Sequence, residues 1–167
     1  MALNNSVMSF NKENKLFQSK EVSIGKLKIG GTLPVLIQSM TTTQTMNVNA
    51  TVNQVIRLVD AGCDIVRITT QNIKEAQQLA TIKNALLKKG YDLPLVADVH
   101  FNPKVAEEAA QFAEKVRINP GNYVDRNNVK VDFTETEYQL ELDKIEERLS
   151  TLLDICKKNN TAIRIGT

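Results

Sequence analysis

Apolar positions along this chain fall into two alternating kinds of segment. Five short runs, at 33–39, 64–69, 94–99, 115–119 and 162–166, are rich in Val, Ile and Leu and bounded by polar residues. Such runs are what strands buried on both faces of a parallel sheet look like. Between them lie longer stretches whose apolar residues recur every three or four positions. Residues 50–61 place Val52, Val55, Ile56 and Val59 on one stripe, and 72–88 do the same with Ile73, Ala76, Leu79, Ile82 and Leu86. A third helix, over 102–112, opens with Asn102 and Pro103, a pairing suited to a cap and first turn. The longest, over 136–158, spaces Leu140, Leu142, Ile145, Leu149, Leu152, Leu153 and Ile155 for burial.

The order is therefore β-α-β-α-β-α-β-α-β, and the first crossovers approach the roughly 30-residue βαβ length. That alternation implies a parallel sheet with right-handed crossovers. Two closures compete: an open doubly wound sheet, or the first five strands of a (β/α)8 barrel. A complete barrel takes about 250 residues, so a chain of 167 would be a TIM-barrel type truncated after about five strands. Segments 21–27 and 28–32 read as a small N-terminal hairpin turned at Gly25 and Lys26, a lid for the first strand. The expected division is a flexible tail over 1–20 and barrel over 21–167.

Composition narrows the class without choosing a function. The chain is 42% hydrophobic and 24% charged with a net charge of +2, which suits a globular protein and provides no field to recruit nucleic acid. No apolar run approaches the roughly 20 residues of a membrane span, and residues 1–19 lack the hydrophobic core of a secretory signal. A cytoplasmic location is the expectation. Cys63 and Cys156 lack any ligand spacing and read as small packing residues, so no metal site is expected from this chain.

The strands carry one anomaly three times: Val66-Arg67-Ile68, Val116-Arg117-Ile118 and Ile163-Arg164-Ile165. Alternation puts each arginine on the face opposite its apolar neighbours. Helices cover the outside, so the arginines should point inward, near the carboxyl ends where α/β proteins bind ligands. A guanidinium cannot shed its charge, and Asp98 is the one acid with comparable placement. The surplus suits a phosphate or diphosphate clamp; buried Arg–carboxylate pairs are the alternative. His100, two residues after Asp98, shares its face and suits a proton-transfer or ligand role. Asn119, Pro120, Gly121 and Asn122 form a turn able to present amides to an anion. The run Thr41-Thr42-Thr43-Gln44-Thr45 reads as a hydroxyl-rich loop engaged in local capping.

Five ordered motifs add a resemblance: Ile37-Gln38-Ser39-Met40-Thr41, Asp64-Ile65-Val66-Arg67, Leu95-Val96-Ala97-Asp98-Val99-His100-Phe101, Val116-Arg117-Ile118-Asn119-Pro120-Gly121-Asn122 and Ile163-Arg164-Ile165-Gly166-Thr167. Together they resemble the amino-terminal barrel of the 4-hydroxy-3-methylbut-2-enyl diphosphate synthase family, in its long form. The resemblance implies an iron–sulfur oxidoreductase of isoprenoid biosynthesis. It would open 2-C-methyl-D-erythritol 2,4-cyclodiphosphate with two electrons from reduced ferredoxin or flavodoxin and loss of water. It further implies that Arg67, Arg117, Asn119 and Arg164 bind substrate, with Ser39 and Thr41 beside them, and that His100 is catalytic with Asp98 in support. The [4Fe-4S] cluster of the family is held by three cysteines and a glutamate in a carboxy-terminal domain, outside this chain. By itself the chain is expected to be inactive, to hold no cluster and to self-associate. Rival readings are a pterin- or phosphate-binding barrel without redox chemistry, and a non-catalytic anion-binding module of flavodoxin-like topology.

Overall fold

In the computed structural model, residues 18–124 and 133–166 are described. The expected tail therefore lies outside the described residues up to residue 17, as does Thr167; Gln18, Ser19 and Lys20 are exposed.

Strands β1 (Val22–Ile24) and β2 (Leu27–Ile29) form the antiparallel hairpin, and its turn is at Gly25 and Lys26 as the sequence indicates. Gly25 has φ of 56°, and a Cβ there would come within 2.8 Å of Glu114 Cγ. Both the backbone angle and the space demand glycine.

The remaining strands are β3 (Gln38–Met40), β4 (Ile65–Thr69), β5 (Leu95–Asp98), β6 (Lys115–Ile118) and β7 (Ala162–Ile165). They form one parallel sheet in the order β3-β4-β5-β6-β7. A doubly wound sheet reverses its strand order at a switch point. This one never does, so its architecture is that of a barrel wall. Helices α1 (Val48–Asp60), α2 (Ile73–Lys88), α3 (Pro103–Ala109) and α5 (Glu135–Asn159) all contribute to one apolar layer against one face of that sheet. A short α4 (Gly121–Val124) follows β6 and packs against α5.

Local chemistry explains the helix starts. Asn47, Asn72 and Asn102 each accept a backbone N–H of the first turn, and Pro103 sits in that turn. Thr134 and Glu137 close a reciprocal capping box ahead of α5. Glu114 pairs with Lys83 of α2 and accepts the Leu95 N–H, tying helix to sheet.

Four expectations need correction. The first run forms a strand only over Gln38–Met40: Pro34 lacks a donor, and Leu33, Val35 and Ile37 are exposed at the open edge. The helix expected over 102–112 ends at Ala109, where the chain turns toward β6. On α5 only Leu152 and Cys156 are buried, whereas Leu140, Leu142 and Leu153 are exposed; spacing defines a stripe, but only its distal part meets α3 and the sheet. Ile73, at the first turn of α2, is likewise exposed.

A second, smaller apolar cluster lies on the concave face. Ile24 of the hairpin packs with Ile65 and Val96, with Leu36 and Ala162 beside them. The hairpin thus closes the amino-terminal end of the sheet, and the carboxyl ends remain open.

Candidate functional site: a cationic concave face

Register fixes which side chains share the concave face. Met40 pairs with Arg67, Thr69 with Asp98, Asp98 with Arg117, and Arg117 with Arg164. Paired residues of parallel strands point to the same side. Arg67, Asp98, Arg117 and Arg164 therefore stand together above the Ile65–Val96 floor, as alternation within each strand requires.

Asp98 is the centre of this group. Its side chain is 4% exposed, and its carboxylate lies 3.5 Å from Arg67 Nε, 3.5 Å from Arg117 Nη1 and 3.3 Å from His100 Nε2. The Arg67 contact is close enough for charge attraction but not aligned as a hydrogen bond, and the buried Arg67 Nε has no hydrogen-bond partner. Arg67 Nη2 instead donates to Met40 Sδ at 3.1 Å, a weak acceptor. Arg164 is exposed and has no carboxylate partner among the described residues. One carboxylate thus faces three guanidiniums.

His100 completes the network. Arg117 Nη1 is 3.1 Å from each ring nitrogen, and guanidinium can only donate. A neutral ring with its proton on Nε2 satisfies both neighbours: Nε2–H donates to Asp98, and Nδ1 accepts from Arg117. The exposed Phe101 ring lies beside the imidazole, with centroids 5.7 Å apart.

The expected residues are not all brought to one place. Asn119 continues the phase of Arg117, but its Oδ1 accepts the Gly121 N–H and shapes the turn into α4. Ser39 pairs with Val66, which puts it on the helix-covered face, opposite the arginines. Its motif position suggests the rim, and the two-residue alternation takes it away. Thr41 is buried with its Oγ1 unpartnered. It lines a neighbouring cavity of about 430 Å³ with Thr45, Thr69, Gln71 and Glu75. The loop there is held by its own hydrogen bonds, Thr45 Oγ1 donating to the Thr69 carbonyl and Gln54 Oε1 accepting the Thr42 and Thr43 N–H groups.

Two features of the concave face escape the sequence. Lys115 opens β6 two residues before Arg117 and so lies on the concave face, 8% exposed; that i, i+2 spacing was the available signal. Gly166 lies against the Arg117 guanidinium, where an added Cβ would sit 2.5 Å from Nε. Nothing in the sequence marks that approach.

The cysteines do not assemble a metal centre. Among the described residues no three His, Cys, Asp or Glu side chains converge on a metal position. Cys156 is buried on α5, and burial pushes its thiol up to about 11, away from thiolate chemistry. Cys63 is half-buried rather than fully so. The residues present do not fit an iron–sulfur cluster. No helix among them is long and apolar enough to cross a membrane.

Fold and site together define a TIM-barrel-type α/β chain with a cationic face at the carboxyl ends of its strands. Solved structures agree on the fold. The dihydropteroate synthase of Burkholderia cenocepacia superposes with a TM-score of 0.51 at 16% identity, covering 90% of this chain and 64% of that one. Phospho-2-dehydro-3-deoxyheptonate aldolase of Thermotoga maritima gives 0.50 at 15% identity, covering 89% and 45%. At such identities the likeness concerns the fold alone.

The sequence comparison is more specific. Residues 19–167 match the GcpE TIM-barrel domain, and the chain belongs to that family. It is 56% identical over 151 residues to the 4-hydroxy-3-methylbut-2-en-1-yl diphosphate synthase (flavodoxin) of Phocaeicola vulgatus, covering 89% of this chain and 25% of that protein. It is 44% identical over 157 residues to the chloroplastic ferredoxin-named enzyme of Oryza sativa subsp. japonica, covering 93% and 21%. The chain thus spans about a quarter of the length of the curated relatives it matches.

Proposed function

We propose that this chain supplies diphosphate-binding residues to an enzyme that reductively opens 2-C-methyl-D-erythritol 2,4-cyclodiphosphate to 4-hydroxy-3-methylbut-2-enyl diphosphate. Residues 21–167 act as the amino-terminal part of its substrate barrel, with residues 1–20 as a tail. The observation that carries this reading is the charge imbalance on the concave face, where among the described residues Asp98 is the one carboxylate beside Arg67 and Arg117, with Arg164 in register next to Arg117. A cyclic diphosphate is a compact anion with oxygens spaced for several guanidinium forks.

In this reading the arginines bind and orient the diphosphate. Asp98 holds Arg67 and Arg117 apart and fixes the His100 tautomer. When the anion draws Arg117 away, His100 Nδ1 is freed to hold a proton near the departing oxygen. Asn119 shapes the turn beside the bound group, and Thr41 offers the unpartnered hydroxyl at the adjoining loop. Electron supply by flavodoxin or ferredoxin follows the relatives' names, and the [4Fe-4S] cluster would be held by residues outside this chain.

Arginine-to-methionine variants of the intact protein test the assignment, because methionine keeps the stem's packing without the charge. Titrations with the cyclic diphosphate should show roughly ten- to a hundredfold weaker binding for each of Arg67→Met, Arg117→Met and Arg164→Met. Their melts should match the parent. Destabilised variants with near-parental affinity would mean that the arginines serve structural ion pairs, and would end this reading.

A further inference from the structure

Lys115 is the buried cation for which the preceding reading has no use. Its backbone sits in register between Val96 of β5 and Ala162 of β7, at the level of the apolar floor. Its side chain shares the phase of Arg117 and is 8% exposed. Among the described residues it has no carboxylate partner. Its chain neighbour Glu114 is committed to Lys83 and the Leu95 N–H. Around it stand Arg67 from β4, Asp98 and His100 from β5, Arg117 from its own strand and Arg164 from β7. β3 contributes only the neutral Gln38 and Met40, and the hairpin contributes apolar Ile24. The Asp98 carboxylate is already shared by two guanidiniums and an imidazole.

An amine in such surroundings carries a double cost when charged: it has left water, and it faces other cations. Burial first, then Arg164 and Arg67, lower its pKa. A multivalent anion seated among the arginines would remove the second cost and offset much of the first.

We propose that Lys115 is a fourth cation of the anion site, its ammonium meeting the diphosphate from the barrel floor while the three arginines meet it from the rim. This rests on the diphosphate reading above and adds a consequence that reading lacks. An anion beside Lys115 favours the charged amine, so the site takes up a proton as it fills, at pH below the ordinary lysine range.

The test is titration calorimetry of the intact protein with the cyclic diphosphate, at alkaline pH, in buffers of different ionisation enthalpy. The parent should take up protons on binding. Lys115→Met should take up none and bind about tenfold more weakly or worse, with a melt equal to or above the parent's. Lys115→Arg, cationic throughout this range, should hold affinity within a few-fold and also lose the uptake. Uptake that persists in the arginine variant assigns the proton to another group and overturns the proposal, as does parental affinity in Lys115→Met. Arg117→Met separates the two levels of argument. If it binds weakly while Lys115→Met binds normally, only the fourth cation falls; if both bind normally, the diphosphate reading falls with it.

Discussion

The two faces of the parallel sheet are made from the same short strands, one residue out of phase, and they obey opposite rules. On the convex face Val66, Ile68, Leu95, Ala97, Val116 and Ile118 are fully buried against helices. They need no partners beyond contact. On the concave face the same strands turn Arg67, Asp98, Lys115 and Arg117 toward one space, and charge there is left unbalanced. Packing satisfies the first face by contact, whereas on the second the described residues leave cations in excess. Binding chemistry can thus be written into a strand without spending any of its core positions. Alternation separates the two tasks.

The comparison is broken most severely from the convex side. Leu79 of α2 is 0% exposed within the helix–sheet layer. Leu79→Ala should cost about 3 kcal/mol, as buried leucine truncations do, and denaturant titration of the intact protein would show it. Affinity for the cyclic diphosphate should be unchanged at temperatures where the variant is folded. A large loss of affinity would show that the two faces are energetically coupled.

The concave face gives its largest stability response at Asp98. Removing one member of a buried ion pair costs about 3–5 kcal/mol. Arg67 and Arg117 keep some solvent contact, so about 2 kcal/mol is expected for Asp98→Asn. Added pyrophosphate should restore much of that loss in a thermal melt, because the anion answers the released charge. A variant as stable as the parent without anion would contradict the role given to this carboxylate.

How much of this was legible in the sequence follows the same division. The order of strands, the hairpin turn and the Asn102 cap with Pro103 are local signals and appear where the chain indicates them. The phase of Arg67, Arg117 and Arg164 follows from their apolar neighbours. What escaped depends on neighbours distant in sequence. Leu33, Val35 and Ile37, read as strand ahead of β3, are exposed because an edge lacks a second partner. Lys115 opens its run, where a charge looks like a boundary instead of a buried group. Ser39 belongs to a recognisable motif, but its pairing with Val66 decides its face.

Gly166 sharpens the comparison further, since it concerns the shape of the concave face and not its charge. Its missing side chain lets Arg117 lie flat against the backbone after β7. The atoms a methyl would strike belong to the mobile end of a long side chain, so Gly166→Ala should leave the melt nearly unchanged. It should displace the guanidinium from Asp98 and His100 and weaken cyclic diphosphate binding about tenfold. Normal affinity would show that Arg117 reaches the anion from more than one position.

The smallest expected effect concerns pH, in the protein without ligand. Unfolded Lys115 titrates at the ordinary lysine value of 10.5, and the folded value is lower. Between the two, the unfolded chain holds a proton that the folded chain lacks, so stability rises with pH across that window. Cys156 and Tyr91 act in the opposite direction, but only above their ordinary values of 9.0 and 10.0, because burial raises the first pKa and a bond to Asp60 raises the second. Chemical denaturation of the parent at a series of alkaline pH values below 9.0 should therefore show a shallow rise that Lys115→Met lacks. On the convex face the described buried residue that titrates is Cys156, whose raised pKa opposes such a rise, so a rise that survives the substitution would have to come from elsewhere on the concave face or the surface. It would show that Lys115 is already accommodated as a cation in the empty protein, and the contrast between a satisfied face and an unbalanced one would then rest on the arginines alone.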